Sequence, residues 1–236
     1  MSSCFSSQSR GIKALIVAIA FIPGSESTAE HQHDPPWADR FSFEYDGYDS
    51  AMKDDDIEDW FETDNEYNCS IDVNGEFDDG EYCMNEDAVF AWHHHANPTT
   101  LRFGWEPGHL SYIYEWDFAG MEDIDDLLLM TLVGCETGND SGGQNNCVDS
   151  AVDAGVNCCV GFRETIYRPW SVWWEGFFFD HLINDIDTVD EAHTYARAMM
   201  LSTYGALWGT GSYVAKGDDT VKVIPASYGD EGGGGK

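Results

Sequence analysis

The chain has 236 residues, 44 of them Asp or Glu against 11 Lys or Arg, for a formal net charge of −33. A hydrophobic share of 42% is enough to bury the core of one ordinary domain. So acidic a surface repels nucleic-acid phosphates and anionic lipid, which removes both from the partners to be expected.

Residues 1–29 have the composition of an export signal. Arg10 and Lys13 precede the apolar run Ala14–Ile22, Pro23 and Gly24 break it, and Ser27-Thr28-Ala29 offers small residues for cleavage. The run is too short to span a bilayer unaided, so a secreted or extracellular protein without stable membrane insertion is expected. Residues 30–236 are then the mature domain. Self-repulsion on this scale needs screening, and the composition is similar to that of proteins from high-salt organisms. The stretch from Asp54 to Asp87 carries 15 acidic residues and no Lys or Arg, a region that offers calcium a place.

Residues 30–40 read as a solvated lead-in, and the alternation Phe41-Ser42-Phe43-Glu44-Tyr45 predicts a first strand. Residues 51–63 suit a short acidic helix turning Ile57, Trp60 and Phe61 inward. A hairpin is expected over 69–83 around Asn74-Gly75, with Cys69 and Cys83 as disulfide candidates in an exported protein. The short apolar run Ala88–Trp92 ends in His93-His94-His95.

Two more apolar runs follow. Leu127–Val133 ends at Gly134-Cys135-Glu136-Thr137-Gly138, and Val156–Phe162 comes after a helix predicted over 146–154 and ends at Arg163-Glu164. Unbroken apolar strands bounded by glycine are what burial on both faces of a parallel sheet produces. Within the third run Cys158 and Cys159 read as small core residues, while Cys147 has no assigned role. Helices are predicted over 170–184 and 189–204, the second opened by Thr188 with Glu191 three residues on, a capping box. Tyr213–Ala215 and Val221–Ile224 are candidate edge strands. Trp170, Trp173 and Trp174 have helical spacing, which buries two of the three.

Strand and helix alternate, so an α/β sandwich with a mostly parallel sheet is expected. Function in such sheets collects beyond the carboxyl ends of the strands. Both polar interruptions, the histidine triplet and Gly134–Gly138, lie there. A thiol at a glycine-flanked turn leaves room for a carbonyl to approach, a nearby imidazole can take its proton, and exposed backbone N–H groups can hold an oxyanion. Packing at a strand end is the plain alternative for Cys135. A zinc hydrolase using the histidines with Cys135, His109 or acids is a further one, but neighbours on an extended chain point to opposite faces, so at most two of the three could share an ion.

The segment Leu128–Gly138 resembles the nucleophile strand of caspase-fold cysteine peptidases, closest to the CHAT-type and gingipain-type branch, where a hydrophobic strand runs into Ala/Gly-Cys-Glu-Thr-Gly. Ala151–Phe162, Phe177-Phe178-Phe179-Asp180-His181-Leu182 and Thr188-Val189-Asp190-Glu191-Ala192 with Ala196 resemble its later steps. The similarity covers about 86–204. It implies a three-layer α/β/α sandwich of caspase type over 30–236, with Cys135 as nucleophile and the histidine ending the preceding strand as base. That base is His95, followed by the small Ala96 where the family has glycine; His93 is the second choice. Ala96 and Gly134 then lie at the oxyanion, Glu136 beside the thiol orients the loop, and Arg163 and Glu164, which end the third apolar strand, should line the same substrate cleft, with a surface pair between them as the plain alternative. The resemblance implies a peptide or protein substrate and no required cofactor or metal. A non-catalytic binding domain of the same fold is the rival reading.

Overall fold

The computed structural model describes the strands 37–42 and 68–73, residues 57 and 84, and residues 88–223 apart from 104–109, 122, 141–144 and 186. All lie in the second of two units into which the chain divides, Gln32–Lys236. Nine strands are described: β1 (Trp37–Ser42), β2 (Asn68–Val73), β3 (Val89–His93), β4 (Ala96–Asn97), β5 (Thr100–Phe103), β6 (Ser111–Tyr114), β7 (Leu129–Val133), β8 (Cys158–Phe162) and β9 (Tyr213–Gly217). The helices are α1 (Cys147–Ala154), α2 (Trp170–Asn184) and α3 (Val189–Tyr204).

Six strands form one sheet in the order β2-β1-β3-β7-β8-β9. All neighbours are parallel except β9, which runs antiparallel to β8. The apolar runs are unbroken because alternate residues enter two different cores. Val89, Ala91, Leu129, Val133, Cys158 and Val160 face the core shared with α2 and α3. Phe90, Trp92, Met130, Leu132 and Cys159 face the other, which is shared with α1 and with Leu101, Phe103 and Ile113 of the small antiparallel sheet β4-β5-β6. The architecture is the expected three-layer α/β sandwich.

The helix ends follow local chemistry. The Asn146 side chain accepts the Asp149 N–H to open α1, and Thr188 with Glu191 forms the full capping box of α3, which Gly205 closes in a left-handed conformation. Cys147, Cys158 and Cys159 are fully buried, and burial pushes the Cys158 thiol up to about 12. Ile57 is also buried; Trp60 and Phe61 lie outside the described residues.

Three expectations need correction. The first strand begins at Trp37, inside the expected lead-in, because its extent is set by the parallel ladder to β2 and β3 rather than by the alternation at 41–45. Residues 68–73, expected as one arm of a hairpin, form a strand parallel to β1 at the edge of the sheet among the described residues. The second arm and Cys83 lie outside the described residues, as do the acidic stretch between β2 and Met84 and His109. Around 221–223 a single bridge from Lys222 to Thr188 stands where a strand was expected. Of the three tryptophans, Trp174 is buried, whereas Trp170 and Trp173 are half-buried against Tyr204.

Candidate active site

His93 sits opposite Val133 in the β3–β7 ladder, so the two strands deliver the histidine triplet and Cys135 to the same end of the sheet. The ends also touch. A side chain built on Gly134 would meet the Trp92 ring at 2.7 Å, the Ala96 methyl at 2.8 Å and the His94 carbonyl oxygen at 3.1 Å. Gly134 is therefore required for space. The one left-handed residue of this turn is Glu136, with φ 62°, a conformation that costs a non-glycine residue roughly 1 kcal/mol or more. Sequence reasoning assigned the sharp corner to the glycines, and the structure moves it to Glu136.

The turn is pinned on several sides. Thr137, fully buried, donates its hydroxyl to the Leu132 carbonyl (3.0 Å) and accepts the Phe162 N–H (3.1 Å). The Glu136 N–H donates to the Glu164 carbonyl and the Gly138 N–H to the Phe162 carbonyl. A side chain on Gly161 would strike the Thr137 hydroxyl at 2.5 Å, so that glycine lets the turn lie on β8. Cys135 itself is half-buried, and its thiol makes a long S–H contact of 3.6 Å with the Ile166 carbonyl. No acceptor among the described residues takes the Cys135 N–H.

The three histidines part company. His93 is buried: its Nδ1–H donates to Glu175 Oε2 at 2.7 Å, and its Nε2 pairs with Ser171 Oγ at 3.1 Å. His94 stacks on Trp92 and accepts the His95 N–H at Nδ1. His95 is exposed at the rim. Desolvation of its ring, followed by the positive charges of Arg102, Arg168 and His93, holds its imidazole below the ordinary value of 6.5. That shift favours the neutral imidazole. The Arg102 N–H bonds to the His95 carbonyl, so the facing Ala96–Leu101 pair is a non-hydrogen-bonded one. The Ala96 N–H consequently turns away from β5, and Ala96 needs no left-handed angle.

Arg163 and Glu164 are exposed at the end of β8. Their backbone N–H groups are held by Ser212, while the Arg163 side chain forms no ion pair among the described residues. No group of three His, Cys, Asp or Glu side chains among the described residues is placed to hold a metal ion. Sequence reasoning missed Glu175, Ser171 and Arg168. A signal was present in Glu175, the only acid between Trp170 and Phe179.

No family model matches the sequence, and neither does any curated protein. Solved structures do. The Arg-specific cysteine proteinase gingipain R superposes with a TM-score of 0.65 at 12% identity, over 80% of this chain and 48% of that one. The complex of pro- and mature domains of the Porphyromonas gingivalis enzyme gives 0.65 at 11% identity, over the same 80% and 48%. A further protease structure gives 0.59 at 12%, over 79% and 48%. At the level of architecture the chain thus has the caspase-like fold seen in these cysteine proteinases. The chain spans about half the length of these relatives.

Proposed function

We propose that this chain is a caspase-like cysteine endopeptidase with Cys135 as nucleophile and His95 as base. The observation that supports the reading is the close approach of Gly134 to Ala96, which brings the chain just before Cys135 against the chain just after His95. His95 takes the Cys135 proton, and the sulfur attacks the peptide carbonyl carbon. The oxyanion is held by the unclaimed N–H of Cys135 and that of Ala96, the amine leaves with the proton from His95, and water then cleaves the thioester. Glu136 keeps the turn in shape. Arg163, exposed and with no ion pair among the described residues, is suited to an acidic side chain near the cut, beside Glu164.

The composition supports an exported protein working in high salt, with calcium in the acidic region as a stabiliser rather than a reactant. Among the described residues no helix is long and apolar enough to cross a membrane.

The test is alkylation by iodoacetamide or an acyloxymethyl ketone, with cleavage of a peptide library in high salt. Labelling and cleavage that vanish in Cys135→Ala are expected. Cleavage that survives in that variant and stops on chelation would transfer the chemistry to zinc. Absence of both labelling and cleavage in the unaltered chain would leave a binding domain.

A further inference from the structure

α2 begins Trp170-Ser171-Val172-Trp173-Trp174-Glu175-Gly176-Phe177 and packs an apolar face on the sheet. Two polar side chains four residues apart interrupt that face, Ser171 at 1% and Glu175 at 0% exposure, and both meet His93, itself 3% exposed. Burying a carboxylate in such surroundings is costly unless it is paired, so this arrangement is not what stability alone selects. Its position gives it a use. His93 ends β3, two residues before His95. At the other side of the bond Ser171 lies in the first turn of α2, where its N–H donates to the Tyr167 carbonyl, and the preceding Ile166 carbonyl takes the Cys135 thiol. Arg168, whose charge acts on His95, lies in the same short segment. The buried His93–Glu175 and His93–Ser171 bonds thus tie the end of β3, two residues before His95, to the start of α2, whose preceding segment touches Cys135.

We propose that Glu175, His93 and Ser171 are positioning residues for the cleft, clamping the start of α2 to the end of β3 so that His95, the 166–168 segment and Cys135 keep one geometry. None of the three touches the reacting atoms. The inference rests on the peptidase reading, in which a displacement of about 1 Å can cost roughly a hundredfold in rate.

The experiment uses the full chain with Glu175→Gln, His93→Gln and Ser171→Ala. The Nδ1–H of His93 against a carboxylate should give a low-field proton resonance that persists in Cys135→Ala and disappears in E175Q. E175Q keeps the shape and removes the charge. With an unchanged circular dichroism spectrum it should lower both the second-order rate of Cys135 alkylation and kcat by about tenfold to a hundredfold, with KM within about twofold. Glu175→Asp should recover part of the kcat loss, which loss of fold would not allow. S171A, which deletes one hydrogen bond, should show a smaller loss in the same direction and stands in if the other variants do not fold. Alkylation and kcat unchanged in folded E175Q and S171A would overturn the clamp and leave the peptidase intact. Alkylation of the unaltered protein no faster than that of a free thiol would overturn the peptidase reading and the clamp with it.

Discussion

The turn after β7 is fixed by Thr137 on both neighbouring strands, by two backbone bonds to β8 and its exit, and by glycines that admit no side chain. The corner after β3 is held differently. His94 rests on Trp92, the hairpin β4–β5 turns back over Asn97, and His95 stands exposed among cations. The contrast teaches that the Cys135 turn is held by hydrogen bonds to β7 and β8 and by close packing at glycines, whereas the His95 corner is held by ring stacking and a short hairpin. Substitutions at the first should break the site outright, and those at the second should retune it.

The largest effect is expected from Cys135→Ala, which should remove peptide cleavage by about four orders of magnitude or more, with His95→Ala costing roughly a hundredfold or more, both read as kcat/KM. Next comes Thr137→Val. It strands the Phe162 N–H inside the protein, at about 1–3 kcal/mol, and leaves the Leu132 carbonyl with the Gly134 N–H alone, so the urea midpoint should fall together with the alkylation rate. A Thr137→Val protein with unaltered stability would undo the contrast just drawn. Gly134→Ala sharpens it further. Its methyl would press on Ala96 and the Trp92 ring, so kcat should drop about tenfold or more through displacement of the base corner.

Two pH effects are smaller. Since the His95 imidazole is lowered, the acid limb of kcat/KM should lie below pH 6.5, and Arg102→Gln, which deletes a positive charge, should move it upward. A limb that stays in place in that variant would show that Arg102 does not act on the base. Away from the site, His193 stacks on Tyr213 at 3.5 Å, its Nδ1 is buried without a partner among the described residues, and burial followed by the charge of Arg197 lowers its pKa to about 4. The unfolded chain therefore binds this proton first as pH falls, and stability should decline between about pH 6.5 and 4. His193→Phe keeps the stack and should flatten that part of the urea-midpoint profile.

Much of this was legible in the sequence because it is local. Continuous apolar runs such as Leu127–Val133 announce two-sided burial, Thr188 with Glu191 announces a cap, and α2 and α3 fall over 170–184 and 189–204 as their periodicity requires. The first strand and the edge strand at 68–73 were misread because both are defined by partners distant in the chain, and a turn signal such as Asn74-Gly75 carries no information about parallel pairing. At the site, Cys135 stood out through its glycine-flanked strand end. The partners of His93 did not, because nothing in a linear pattern shows that an acid in the middle of an apolar helix faces inward toward a histidine on another element.

The contact between the Cys135 thiol and the Ile166 carbonyl joins two stretches with an intervening helix and strand between them, and the imidazole arrives from a third. On the proposed function, thiol and imidazole meet only once the sheet is complete, so a nascent or partly unfolded copy would hold the two on separate, unjoined stretches of chain.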